Sequence, residues 1–162
     1  MRIPAIFLPA VVAIAAFMAL PAYAQTEPVI LTIDGAIEGG KPVDFTMSQL
    51  EALGTETIVT STPWTEGTPT FEGVPMKVLL EHVGAKGETA DVMALNNYQT
   101  AIPVADFTTY PVILATKMDG EPMTVRNKGP LFIMYPFDAV PELQTELYLS
   151  RAAWQVRTIT IK

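Results

Sequence analysis

The sequence predicts an α+β fold: mostly short strands, with two or three short helices laid on them. Three observations carry this. Eleven of the 14 prolines follow residue 24, a density that suits many short elements and not a helical bundle. Short β-branched runs recur between turn signals. One stretch, Pro75 to Val83, carries a clear helical stripe.

The first segment reads as an export signal. Arg2 supplies a positive start, Ile3 to Leu20 is almost wholly apolar, Pro21 breaks the run, and Ala22-Tyr23-Ala24 offers the small residues a signal peptidase needs. The alternative is an uncleaved anchor, since the run approaches the roughly 20 residues that span a bilayer. Two prolines inside the run and the Ala-Tyr-Ala exit favour cleavage. The predicted product is a single periplasmic domain, residues 25–162, behind a signal peptide of residues 1–24.

Within that domain Pro28 to Asp34 alternates and is closed by Gly35, as a strand would be. Glu38 to Pro42 is a turn, marked by paired glycines and a proline. Thr46 or Ser48 is placed to cap a short helix through Leu53, with Gly54 as its stop. Thr57 to Thr60 reads as a strand that runs into the turn Ser61 to Gly67. The helix from Pro75 has its proline in the first turn and Gly84 at its end. Further strands are expected at Val92–Leu95, Val112–Lys117, Met123–Arg126, Leu131–Tyr135 and Trp154–Ile161. Asp119-Gly120 marks a hairpin.

Composition excludes several chemistries. The chain has no cysteine, so no disulfide staples it and no thiolate can act as nucleophile or metal ligand. The formal charge is −7, and −8 once Arg2 leaves with the signal, which argues against a nucleic-acid partner. Lys117, Arg126, Lys128, Arg151, Arg157 and Lys162 all fall in the last third. They are either a local cationic pocket or scattered solvated charges. His82 is the single histidine and reads as structural or surface; it can build neither a two-histidine metal site nor, without a G-x-S-x-G elbow, a triad. Glycine-rich phosphate loops are also missing.

What stands out is a set of aromatic and polar residues at turns and strand ends. Trp64 follows Thr60-Ser61-Thr62-Pro63, Asn96-Asn97-Tyr98 interrupts apolar sequence, Arg126-Asn127-Lys128-Gly129-Pro130 precedes a strand, and Arg151 and Trp154 flank two alanines. Flat ligands stack on such rings while amide and guanidinium groups bind their edges. Core packing is the competing reading for both tryptophans, and the stronger one for Trp154.

These motifs resemble the sulfite oxidase-like molybdopterin-binding domain family. Phe71-Glu72-Gly73-Val74-Pro75-Met76-Lys77-Val78-Leu79-Leu80 resembles its GVPL segment. Asn96-Asn97-Tyr98 with Ile102-Pro103, Ile113 to Met123, and Gly129-Pro130-Leu131 with Tyr135-Pro136 resemble its later motifs in order, and Trp154 fits its closing one. The resemblance implies that family's mixed-sheet fold and a cleft for a pterin or molybdopterin-like ligand. It departs where catalytic members carry a metal-binding cysteine: the equivalent place is Thr60-Ser61-Thr62. Phe132 replaces the family arginine, and Lys128 replaces its histidine. A hydroxyl is a far poorer ligand for molybdenum than a thiolate, so the metal is not expected.

The resemblance, with these departures, implies a non-catalytic pterin-binding protein that contacts the sensor region of a membrane signalling protein, in cyclic-di-GMP control. Trp64 would stack on the ring, Ser61 and Thr62 bond its edge, Asn96 and Tyr98 close the cleft, and Arg126, Lys128 and Arg151 supply donors. A molybdopterin-dependent oxidoreductase with a non-cysteine ligand is the alternative. A structural or chaperone-like partner that has lost the cleft is a third.

Overall fold

Strand alternation builds the first sheet. Leu31 and Ile33 are fully buried while Thr32 and Asp34 between and after them are only partly so, the period of two that a half-buried strand requires. The computed structural model describes residues 27–162, so the expected signal peptide lies outside the described residues. The first half runs β1 (Leu31–Gly35), β2 (Val43–Phe45), α1 (Met47–Glu51), β3 (Glu56–Val59), β4 (Thr70–Pro75), α2 (Met76–His82) and β5 (Thr89–Ala94). The second runs β6 (Gln99–Pro103), α3 (Asp106–Thr109), β7 (Ile113–Met118), β8 (Glu121–Pro122), β9 (Phe132–Met134), α4 (Glu146–Arg151) and β10 (Val156–Ile161).

Two sheets result. One has the order β2-β1-β10-β5-β6, the other β3-β4-β7-β8 with β9 also paired to β7. Every pairing is antiparallel except β1 with β10, which sets the first and last strands side by side, Thr32 against Thr158. Side chains from both sheets join one buried cluster, with Leu31, Ile33, Val92 and Ile159 from the first and Phe71, Leu114, Phe132 and Ile133 from the second. The fold is therefore α+β, as expected, with mixed sheets and short helices.

Local chemistry explains the boundaries. Thr46 caps α1 in a full capping box: its hydroxyl accepts from Gln49 N, and Gln49 Oε1 accepts from Thr46 N at 2.9 Å. Ser48, the other candidate cap, instead donates to Glu27. Pro75 ends β4 and caps α2, one position before the first turn expected for it. Gly73, in the GVP segment, sits at the β4–β7 register shift, where a Cβ would collide with the Leu114 carbonyl and Ala115.

Several expectations need correction. Met123–Arg126 is not a strand. After the two residues of β8 the chain curls into a 3-10 turn, Val125–Asn127, because Thr124 O accepts from both Asn127 N and Gly129 N. The sequence does not predict the strands β2, β4 and β6 or the helices α3 and α4. His82 is exposed at the end of α2 and packs against Phe45, in line with a surface role.

Candidate functional site

Three loops bring the aromatic residues together. The turn after β3 carries Trp64, whose backbone N donates to Thr62 Oγ1, while Thr62 and Thr65 share a hydroxyl bond of 2.8 Å. Trp154 follows α4 and forms an isolated bridge with Phe132 of β9. The indoles meet edge to face with centroids 5.1 Å apart, and both rings lie about 6 Å from the Phe132 ring. Each tryptophan is half-buried and packs on the core. Packing on the core and lining a cavity are thus compatible in these two residues.

Both indoles face a cavity of about 300 Å³, lined by Pro63, Trp64, Asn96, Tyr98, Glu146, Leu149, Ser150, Ala152 and Trp154. The β5–β6 hairpin supplies one wall. Asn97 turns it in a left-handed conformation, φ 64°, and Asn96 Oδ1 accepts from Tyr98 N at 3.0 Å. Helix α4 supplies the other wall, and the Tyr98 hydroxyl ties the two by donating to the Ser150 carbonyl at 2.6 Å.

Two hollows adjoin this cavity. One, about 260 Å³, shares Pro63 and Leu149 with it and adds Ser61, Thr62, Phe137, Asp138 and Gln144. The other, about 320 Å³, lies beside Trp64 with Thr65, Glu66, Asp119, Asn127 and Lys128. Trp64 therefore stands between the hairpin-side cavity and the lysine-side one. A larger hollow of about 370 Å³ lies on the outer face of β10, β5 and β6, but its lining contains no aromatic ring.

The structure gathers seven of the nine expected site residues around this cleft: Ser61, Thr62, Trp64, Asn96, Tyr98, Lys128 and Trp154. Arg126 is exposed on its 3-10 turn and lines none of the three hollows. Arg151 is engaged elsewhere. Its guanidinium donates to Asp106 Oδ2 at 2.8 Å and lies over the Tyr148 ring. Tyr135 donates to the same carboxylate oxygen at 2.9 Å, and burial with that carboxylate pushes the Tyr135 phenol far above its usual range. The basic residues form no common pocket: Lys117 pairs with Glu51, Lys162 with Asp91, and Arg157 reaches Met93 Sδ.

Sequence reading missed Glu146, Leu149 and Ser150, which all sit on α4. Asp138 was missed as well. Its carboxylate accepts from both Ser61 N and Ser61 Oγ, each at 2.7 Å, which holds Asp138 below the usual carboxylate range. Thr60 Oγ1 in turn accepts from Asp138 N at 3.1 Å.

The family model of the oxidoreductase molybdopterin binding domain matches residues 18–138. The chain belongs to this family. A search of curated proteins finds no match.

The resemblance places the metal-binding cysteine of catalytic members at Thr60-Ser61-Thr62. The hydroxyls of Thr60, Ser61 and Thr62 all lie within the hydrogen-bonded turn, and neutral hydroxyls are poor ligands for this metal. No group of three or more histidines, aspartates or glutamates could hold a metal among the described residues. This donor set does not fit a thiolate-bound molybdenum. A flat organic ring is a different matter: paired indoles beside amide and carboxylate groups suit the pterin part of such a cofactor.

Proposed function

We propose that this protein is a periplasmic, non-catalytic binding protein for a pterin-like small molecule, which it relays to the sensor region of a membrane signalling protein in cyclic-di-GMP control. The observation that carries the reading is the Trp64–Trp154 pair facing a cavity of about 300 Å³. The resemblance adds that hydroxyls stand in the adjoining turn where catalytic members have a thiolate. That volume is at the small end of ligand sites, roughly 300 to 1,000 Å³. It suits a bicyclic ring with a short substituent. Stacking on Trp64 supplies affinity, and the lysine-side hollow receives whatever the ring carries.

Support for a partner comes from the mouth of the cleft. Tyr98 is itself exposed, and Leu95 and Leu147, each next in sequence to a cleft residue, are exposed apolar side chains. A receptor that covers these residues would sense whether the cleft is filled. The leader expected at residues 1–24 supports export.

The test is the molybdenum and pterin content of the protein purified from its native source. Pterin without metal is expected. Near-stoichiometric molybdenum overturns the proposal and makes the protein an oxidoreductase with a ligand other than cysteine. A protein with neither, and with no affinity for added pterin, is a structural partner.

A further inference from the structure

Glu146 is the one acidic side chain among the residues lining the aromatic cavity. Of the acids lining the adjoining hollows, Asp138 accepts from Ser61 and Asp119 accepts from Thr70 N, while Glu66 lies beyond Trp64 in the lysine-side hollow and lines no part of the aromatic cavity. Glu146 is exposed and joins no ion pair among the described residues. Asn96, on the hairpin wall, has its Oδ1 occupied by Tyr98 N, so its amide hydrogens remain as donors. Ser150 Oγ donates to Leu147 O at 2.7 Å and can only accept from anything in the cavity. The walls thus offer a carboxylate acceptor and an amide donor beside two indole rings.

We infer that Glu146 and Asn96 read the edge of the bound ring and select a 2-amino-4-oxopyrimidine edge over a 2,4-dioxo one. The inference rests on the proposed pterin-like ligand and deepens it. A 2-amino-4-oxopyrimidine carries two parallel N–H donors, the amino group and N3–H, spaced as in a guanidinium. A carboxylate accepts both at once, the strongest neutral-ring arrangement available to it. The adjacent 4-carbonyl accepts from the Asn96 amide. In the 2,4-dioxo ring a carbonyl replaces the amino group, so one carboxylate oxygen faces a second acceptor and neither is satisfied. Sites built around a hydrogen-bonded group reject analogues that lack it.

The experiment titrates pterin and lumazine, which differ at this one ring position, into dialysed protein made from the full-length gene. Tryptophan quenching reads binding, at a pH where both rings are neutral. The natural protein should prefer pterin by at least about tenfold. Glu146→Gln should lose about tenfold or more in pterin affinity and gain lumazine affinity, because the new amide accepts from N3–H and donates to the 2-carbonyl, so the preference collapses or reverses. If Glu146→Gln keeps the natural ratio while Trp64→Ala weakens both ligands, the edge inference is wrong and the aromatic cleft stands. If the natural protein binds neither ring, the inference and the pterin reading fall together.

Discussion

Trp64 and Trp154 touch edge to face at 5.1 Å although one follows β3 and the other precedes β10. Their duties differ. Trp154 bridges Phe132 through the backbone and lines only the hairpin-side cavity, whereas Trp64 borders the hollows on both sides. Trp64→Ala should weaken pterin binding by roughly 1–3 kcal/mol, as the loss of an aromatic anchor does. Trp154→Ala should weaken binding and also cost about 3 kcal/mol of stability, the scale of a large aromatic removed from packed surroundings. Calorimetric titration and urea denaturation of both variants separate the two effects. Equal losses of stability would show that Trp64 too is chiefly a packing residue.

The Asp106–Arg151 pair predicts a second result. Both side chains are largely buried, at 10% and 14% exposure, and the pair anchors α4, a helix with no fully buried residue of its own. Removing one partner of such a pair strands the other charge. Asp106→Ala should therefore cost about 3–5 kcal/mol, and it also deprives the Tyr135 hydroxyl of its acceptor. Thermal denaturation measures the cost. Because α4 is a wall of the cleft, pterin affinity should fall in the same variant while Trp64 is untouched.

A third prediction concerns Gly73. A methyl group there would strike the Leu114 carbonyl and Ala115 Cα on the neighbouring strand, and these are backbone atoms with little room to give. Gly73→Ala should cost about 3 kcal/mol through overpacking. A melting temperature within a degree of the natural protein would show that the β4–β7 register can shift to absorb it.

Much of this fold is legible where the signal is local. The Thr46 cap, the Gly54 stop, the Asp119-Gly120 hairpin and the alternation of β1 each rest on a few adjacent residues. The cleft is legible in part for the same reason: tryptophan in a Ser-Thr-Pro turn and an Asn-Asn-Tyr break are unusual in sequence. Helix α4 is not legible. It spans six residues with no buried face, and what holds it is a pairing of Arg151 with the distant Asp106. That same pairing removes Arg151 from the cleft, which no spacing along the chain reveals. Asp138 escapes notice in the same way, since only folding brings it to Ser61.

The Ser61–Asp138 contact carries the last prediction. Two hydrogen bonds from Ser61, through N and Oγ, favour the ionised carboxylate and hold Asp138 below its ordinary value of 3.8. A carboxyl depressed in the folded state stabilises fully above its unfolded pKa, and the contribution is lost as pH falls through the folded one. The turn carrying Trp64 should therefore stay closed at neutral pH and loosen only below about pH 4. Ser61→Ala deletes the Oγ bond and keeps the backbone one. In that variant Asp138 should titrate nearer to an ordinary aspartate, and loosening should begin at a higher pH than in the natural protein. Carboxyl-carbon NMR follows the titration, and amide exchange at residue 61 follows the turn. An Asp138 titration identical in the two proteins would mean that the Oγ bond does not hold the turn.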